Sequence, residues 1–198
     1  MSLFNYHIDF KSMLQAKMPK CNDDFSIQLI TGYQGSGKTY FAIYEMERIF
    51  KNKTIKTNIH SYHSNNNKIE TFEKIEQIYD DDDDGVVYLV DELSKKYTKN
   101  SPQDLKFYSW LQQSRKHKRH VYLITQEYIQ VPTWLRGIAN TVFVTEKVKF
   151  LPFFKTTLGF PVLTDEMEWS IQPTATIIYK RTKNISTLYN TFDTIDTL

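Results

Sequence analysis

Residues 32–39 form a pattern that binds phosphate groups in many proteins. They read Gly-Tyr-Gln-Gly-Ser-Gly-Lys-Thr, the Walker A motif, between an apolar run and an amphipathic helical stretch. Glycines let such a loop take positive φ angles and turn its N–H groups onto a β-phosphate, and the helix start adds its dipole. Lys38 would bridge the β- and γ-phosphates, and the Thr39 hydroxyl would bind Mg²⁺. The predicted ligands are ATP and Mg²⁺, and the predicted binding residues are Gly32, Gly35, Ser36, Gly37, Lys38 and Thr39.

Two carboxylates follow a second apolar run. Residues 86–90 read Val-Val-Tyr-Leu-Val, which predicts a buried strand, and Asp91 and Glu92 come directly after it. This is the Walker B pattern, and ligands of open α/β sheets bind at the carboxyl edge of the strands. Asp91 would hold Mg²⁺ through its water shell, and Glu92 would polarise the attacking water, which favours hydrolysis. The alternative is that the pair only caps the helix that follows.

An amide ends a further apolar run. Residues 121–125 read Val-Tyr-Leu-Ile-Thr, and Gln126 follows. An amide at this place can sense a γ-phosphate or fix the attacking water if its strand lies beside the Walker A strand. We therefore predict a catalytic role for Gln126.

A basic segment precedes that run. Residues 114–120 read Ser-Arg-Lys-His-Lys-Arg-His at the end of a predicted helix. These cations could simply complement the helix C-terminus. Alternatively, Arg115 or Arg119 could reach across a subunit boundary as an arginine finger, a group that raises hydrolysis by about 10³- to 10⁵-fold in related chemistry.

Strands and helices alternate along most of the chain, which is typical of an α/β sheet. The predicted strands span residues 25–31, 54–60, 86–90, 121–126 and 141–145, and the predicted helices span residues 39–50, 71–79, 102–118 and 131–139. After residue 150 the pattern changes: residues 171–179 indicate a strand, and Phe160-Pro161 indicates a turn or an edge. We predict a core at residues 25–148, an N-terminal extension at 1–24 and a β-rich extension at 149–198, packed on the core.

Composition excludes several classes of protein. The 198 residues are 40% hydrophobic and 24% charged, which suits one globular domain, and the net charge of +2 does not by itself indicate nucleic-acid binding. The lone Cys21 precludes an internal disulfide. The first residues lack a secretion signal, and no run reaches the roughly 18 apolar residues of a spanning helix. The sequence therefore predicts a protein that is not secreted and has no transmembrane segment.

A mixture of cations and aromatics lies between residues 147 and 155. Such a mixture can grip a single strand or a DNA backbone, or it can be a hydrophobic seam against the core with flanking lysines. The residues concerned are Lys147, Lys149, Phe150, Phe153, Phe154 and Lys155.

The motifs together resemble one family. Residues 110–126 read Trp-Leu-Gln-Gln-Ser-Arg-Lys-His-Lys-Arg-His-Val-Tyr-Leu-Ile-Thr-Gln, and Trp-Leu-Arg follows at 134–136. With the two Walker motifs, they resemble the zonular occludens toxin-like (Zot-like) ATPases of viruses and phages, in the FtsK/HerA group. The resemblance covers residues 25–148, with a weaker echo at 186–193. It implies that the family arginine is Arg115, with Arg119 as an alternative and Arg136 in second rank.

The resemblance also implies a fold and a function. The fold would be an α/β P-loop NTPase with a RecA-like, mostly parallel sheet flanked by helices and small added C-terminal β-elements. The protein would be an ATP-hydrolysing DNA translocase that acts as a homo-oligomeric, often hexameric ring and packages a viral or phage genome. Its expected location is the host cytoplasm or the virion, with a capsid vertex or a membrane protein as a plausible partner. The alternatives are a small-molecule P-loop kinase and a nucleotide-gated assembly protein.

Overall fold

The apolar runs of the sequence form the centre of one eight-stranded sheet. The computed structural model describes residues 24–148, 153–180 and 182–189. The strands are β1 (Ser26–Thr31), β2 (Thr54–Thr57), β3 (Lys68–Thr71), β4 (Val87–Val90), β5 (His120–Ile124), β6 (Thr141–Lys147), β7 (Phe153–Leu163) and β8 (Trp169–Lys180). The α-helices are α1 (Lys38–Ile49), α2 (Leu105–Gln112), α3 (Thr133–Ile138) and α4 (Lys183–Ser186), and 3₁₀ helices span Ile75–Ile78, Leu93–Lys95 and Tyr128–Gln130.

The strand order places the two Walker strands on either side of β5. The order is β3-β2-β4-β5-β1-β6-β7-β8. All pairs from β3 to β6 are parallel, whereas β7 is antiparallel to both β6 and β8. The carboxyl ends of β4, β5 and β1 therefore meet at one edge of the sheet. The predicted mostly parallel α/β sheet is confirmed, and so is the position of the strand before Gln126 beside the Walker A strand.

Both faces of the central strands are buried. In β4, Val87 and Leu89 share an apolar cluster with α1, whereas Tyr88 and Val90 share another with α2. The Tyr88 ring lies 4.8 Å from that of Trp110, centroid to centroid and edge-on. Strands covered on both faces read as continuous apolar runs, which explains why the central strands are visible in the sequence.

The region between β2 and β4 differs from the sequence prediction. The predicted helix at residues 71–79 is only the 3₁₀ turn Ile75–Ile78, and β3 (Lys68–Thr71) is a strand that the sequence did not indicate. This strand is polar because it lies at the edge of the sheet, paired with β2 alone. Periodicity cannot detect a strand without a buried apolar face.

The helix predicted at residues 102–118 is shorter than expected. It begins after Asp104, whose side chain accepts a hydrogen bond from the Phe107 backbone N–H at 3.1 Å, and α2 ends at Gln112. Residues 113–118 form turns, and Lys118 has a left-handed φ of 50°. The chain therefore changes direction just before Arg119, so most of the basic segment lies in turns and not on a helix.

The C-terminal strands extend the sheet. Pro161 lies inside β7 and not at a turn, but its pairing partner is Ile171 of β8, while pairing with β6 ends at Gly159. Proline has no N–H to donate, and it is tolerated at this position because β6 no longer pairs with β7 there. This agrees with the predicted edge position. The division into a core at 25–148 and extensions at 1–24 and 149–198 stays a prediction, and residues 1–23 lie outside the described residues. Within the part of the chain described above, no helix has both the length and the apolar character needed to cross a membrane.

Candidate nucleotide-binding site

The predicted phosphate loop connects β1 to α1 at the carboxyl edge of the sheet. Gly37 is the N-cap of α1 with a left-handed φ of 89°. The Gly32 backbone N–H donates to the Gln126 carbonyl oxygen at 2.8 Å, and the hydroxyl oxygens of Ser36 and Thr145 lie 2.8 Å apart. Gln126, which follows β5, and Thr145 of β6 thus hold the two halves of the loop in place.

Lys38 folds back over the loop. Its Nζ donates to the carbonyl oxygens of Gly32 at 2.9 Å and Tyr33 at 3.1 Å. Burial lowers the pKa of Lys38, and the charges of Asp91 and Glu92 act in the opposite direction. An anion at this place would stabilise the charged amine and raise this pKa again, which suits a phosphate.

The Walker motifs meet through a hydrogen bond. The Thr39 hydroxyl donates to Asp91 Oδ2 at 2.8 Å, and the Glu92 backbone N–H donates to Asp91 Oδ1 at 2.7 Å. Burial raises the pKa of Asp91, although both hydrogen bonds oppose this shift. A hydroxyl and a carboxylate whose charge lacks solvation are oxygen ligands of the kind that Mg²⁺ takes beside phosphates. Thr39 and Asp91 therefore fit the predicted metal.

Asn58, which the sequence analysis missed, positions Asp91. Its side-chain amide donates to the Asp91 carbonyl oxygen at 3.0 Å and accepts from the Asp91 N–H at 2.8 Å. Asn58 is buried and directly follows β2, the strand next to β4. The rule that singled out Gln126, a polar residue after a strand at the ligand edge, would have found it.

Glu92 directly follows Asp91 and has an unusual conformation. Its φ of 55° is left-handed, and its carboxylate pairs with Lys95 Nζ at 2.5 Å. Glu92 is the N-cap residue of the 3₁₀ helix Leu93–Lys95, but within the described structure its side chain makes no capping hydrogen bond. The capping alternative therefore does not explain this carboxylate.

Gln126 lies between the two Walker motifs. Its carbonyl oxygen accepts from the Gly32 N–H at 2.8 Å and from the Thr31 hydroxyl at 3.2 Å. The residue is exposed. The backbone of Gln126 thus fixes the loop, and its amide remains a candidate for the water or the γ-phosphate.

The arginine candidates occupy different environments. Arg115 is exposed, with its guanidinium carbon 6.0 Å from the centre of the Phe25 ring. It lies before the amino end of β5, whereas the phosphate loop follows the carboxyl end of the parallel strand β1. Arg115 therefore lies at the opposite edge of the sheet from the phosphate loop of its own chain.

Arg119 and Arg136 are not available as fingers in this conformation. Arg119 is 0% exposed, donates to the Asp81 carbonyl oxygen and stacks over Trp110. The acidic residues 80–84 are thus partly structural, because Asp81 and Asp83 also pair with Lys56. Arg136 is buried and donates to the Trp169 carbonyl oxygen at 3.4 Å. Both arginines belong to internal contacts.

The cations and aromatic residues between 147 and 155 have different surroundings. Phe154 is buried beside Tyr40, with ring centroids 5.6 Å apart, which supports the hydrophobic seam. Lys155 pairs with Glu146 at 3.0 Å. Lys149 and Phe150 lie outside the described residues.

A Walker A loop and a Walker B strand on either side of a third parallel strand define the RecA-like class of P-loop NTPase folds. A family model described as zonular occludens toxin (Zot) matches residues 26–190. The chain belongs to this family. The predicted fold and the predicted family are both confirmed. No curated protein matches the chain.

Solved structures have the same fold at low sequence identity. The N-terminal domain of zonular occludens toxin from Neisseria meningitidis is 19% identical, with a TM-score of 0.59 over 83% of this chain and 98% of that one. The genome-packaging NTPase B204 from Sulfolobus turreted icosahedral virus 2, in complex with AMPPCP, is 12% identical, with a TM-score of 0.53 over 77% and 100%. The RadB recombinase is 15% identical, with a TM-score of 0.53 over 79% and 87%.

Proposed function

We propose that this protein hydrolyses ATP at the Walker site. The observation that carries the proposal is the 2.8 Å hydrogen bond from Thr39 to Asp91, because it joins the two motifs that must share one metal. Mg²⁺, held by these two residues, would neutralise charge on the phosphates. A solved structure of the same fold contains AMPPCP, which supports a nucleotide as the ligand.

The chain's own groups have distinct roles in this proposal. Lys38 exchanges the carbonyl oxygens of Gly32 and Tyr33 for oxygens of the β- and γ-phosphates. Glu92 leaves Lys95 and polarises the attacking water, and Gln126 orients that water or senses the γ-phosphate. The carboxylate therefore has a resting partner that competes with its catalytic role.

We further propose that the protein acts as an oligomeric ring, with a hexamer as the expected form, that moves DNA. The family, and the fold that the chain shares with a genome-packaging NTPase, support this function. The position of Arg115 supports the assembly, because an exposed arginine far from its own phosphate loop can complete a neighbour's site. Packaging would place the protein in the host cytoplasm or the virion, with a capsid vertex or a membrane protein as the recruiting partner.

Mixing two inactive variants tests the shared site. Arg115→Ala retains its own Glu92, and Glu92→Gln retains its own Arg115, so a mixed ring contains complete interfaces. Random mixing in equal amounts should restore up to about a quarter of wild-type turnover. Lys116→Ala, a neighbouring exposed cation, is the matched control and should remain active alone. No restoration in rings shown to be mixed would exclude action of Arg115 across an interface.

The ion pair of Glu92 and Lys95 favours a second candidate, a nucleotide-gated assembly protein. If the pair persists with nucleotide bound, ATP would bind and promote assembly without efficient turnover. Single-turnover measurements on the assembled protein separate the candidates. Turnover no faster than background, unchanged in Lys95→Met, would favour the assembly protein.

A further inference from the structure

A cavity of about 220 Å³ opens beside the phosphate loop. Its walls are Gly35, Gly37, Lys38 and Thr39 of the phosphate loop and the aromatic residues Tyr40, Phe154 and Tyr189. Its volume is several times the share of ~30 Å³ that one water molecule occupies in the liquid. Because four of these walls belong to the phosphate loop, the cavity includes the phosphate site and continues from it to the aromatic residues.

Phe154 of β7 forms one wall of this cavity. A Cβ placed on Gly37 would lie 2.7 Å from the Phe154 ring, so the ring lies directly on the glycine backbone. Phe154 also packs against Tyr40 and Tyr179, with ring centroids 5.6 and 5.9 Å away. The wall is therefore fixed by aromatic contacts on several sides.

The C-terminal segment at 182–189 brings Tyr189 to the cavity. The Thr182 backbone N–H donates to the Tyr40 hydroxyl at 2.8 Å, and the His63 N–H donates to the Leu188 carbonyl oxygen at 2.7 Å. Leu188 is buried in the same apolar cluster as α1. Hydrogen bonds thus attach both ends of the segment to the rest of the protein, and the segment holds Tyr189 at the cavity.

We propose that this cavity is the subsite for the nucleotide base and ribose, and that Tyr189 and Phe154 supply aromatic surface for the base. The inference rests on the proposed function, because it requires the phosphates to occupy the Walker A loop. The cavity extends from the phosphate loop, at Gly35 and Lys38, to the aromatic residues, so a nucleoside attached to a bound phosphate would reach the aromatic wall. The residues that recognise the nucleoside then come from the C-terminal part of the chain and not from the Walker motifs.

The aromatic walls determine which nucleotide bases the subsite can distinguish. Stacking accepts every base because every base has a π-face, and larger rings offer more contact. ATP and GTP should therefore bind with similar affinity, and CTP more weakly. Inorganic tripolyphosphate, which has no base, should bind roughly tenfold or more weakly than ATP.

Calorimetric titration with ATP and with tripolyphosphate, both with Mg²⁺, tests the proposal. Tyr189→Ala should weaken ATP binding roughly tenfold and leave tripolyphosphate binding unchanged, whereas Tyr189→Phe should bind both as the wild type does. Phe154→Leu, which retains an apolar wall, should also weaken ATP selectively. Thr187→Ala, an exposed change in the same segment, is the matched control and should alter neither affinity.

The outcomes separate this inference from the proposed function. Equal weakening of ATP and tripolyphosphate in Tyr189→Ala would mean that Tyr189 supports the phosphate loop, and no change in either would place the base elsewhere. Both results overturn the subsite. Lys38→Ala is measured in parallel and should weaken the binding of both ligands about 10- to 100-fold. If that variant binds ATP as the wild type does, the proposed function fails instead.

Discussion

At the scale of single residues, the site contains two charges that the fold disfavours. Burial lowers the pKa of Lys38 and raises the pKa of Asp91, so each group is less stable in its charged form than in water. A phosphate and a metal ion would compensate these two charges separately. The pair therefore has the electrostatic character of a binding site and not of an internal salt bridge.

Lys38→Ala and Glu92→Gln should separate binding from chemistry. Lys38→Ala removes charge-assisted hydrogen bonds to phosphate and should weaken ATP binding about 10- to 100-fold. Glu92→Gln should retain binding and reduce kcat about 10²-fold or more, because the amide cannot act as a base. Calorimetry and steady-state hydrolysis measure the two effects. Lys99→Ala, an exposed lysine, is the control, and equal loss of binding in both variants would contradict the roles.

Asp91→Asn should stabilise the ligand-free protein at neutral pH. A carboxyl whose pKa is raised on folding contributes stability below its unfolded pKa of about 3.9, and this contribution is lost as the pH rises through the folded pKa. The variant should therefore have a higher Tm than the wild type at pH 7.5, and the difference should shrink as the pH falls toward about 4. Thermal unfolding across this range measures it.

The same variant should lose the stabilisation that Mg²⁺ and ATP give the wild type, because it lacks the ligand charge. Asp165→Asn, in an exposed turn, is the matched control and should show no such pH dependence. A lower Tm of Asp91→Asn at pH 7.5, or a difference that does not change with pH, would contradict the account of Asp91.

At the scale of elements, the residues that follow the central strands supply chemical groups of the candidate site. The position of Gln126 could be predicted because it follows an apolar run. The contact of Thr39 with Asp91 could be predicted because each residue has a fixed place within its Walker motif. The environment of Arg119 could not, because a run of cations indicates exposure. Arg119 follows the left-handed Lys118 and is buried, although its neighbour Lys118 is exposed.

Two glycines of the loop should respond differently to alanine. Both have positive φ, 74° at Gly35 and 89° at Gly37, so each alanine costs about 1–2 kcal/mol of conformational free energy. In the described structure nothing lies within 4 Å of a Cβ on Gly35, whereas one on Gly37 would meet Phe154 at 2.7 Å. Gly37→Ala should therefore lower Tm clearly more than Gly35→Ala. Similar Tm values would contradict the packing of β7 on the loop.

Arg119 and Arg115 should differ in their effect on stability. Arg119→Met removes a buried charged hydrogen bond and should lower the free energy of unfolding by about 2 kcal/mol. Arg115→Ala, and Lys116→Met as the matched surface control, should leave it within about 0.5 kcal/mol of the wild type. Urea unfolding measures all three. A stable Arg119→Met protein without activity would return Arg119 to the list of finger candidates.

At the scale of the whole molecule, the sequence predicted the Walker half of the site better than the half formed by β7, β8 and α4. The Walker residues lie in short motifs whose spacing is readable. Phe154 and Tyr189 meet the loop across more than 100 residues of chain, and an aromatic residue does not indicate in the sequence which surface it covers. Such contacts depend on the antiparallel hairpin of β7 and β8, whose partners only the folded sheet defines.

We expect ATP hydrolysis to depend on assembly, since Arg115 lies at the opposite edge of the sheet from the phosphate loop of its own chain. The most direct test is steady-state ATP hydrolysis by the purified protein, with and without double- and single-stranded DNA, over a wide range of protein concentration. We predict turnover that DNA stimulates and that rises cooperatively with protein concentration. Slow turnover that depends on neither DNA nor protein concentration would contradict the account of an oligomeric DNA translocase.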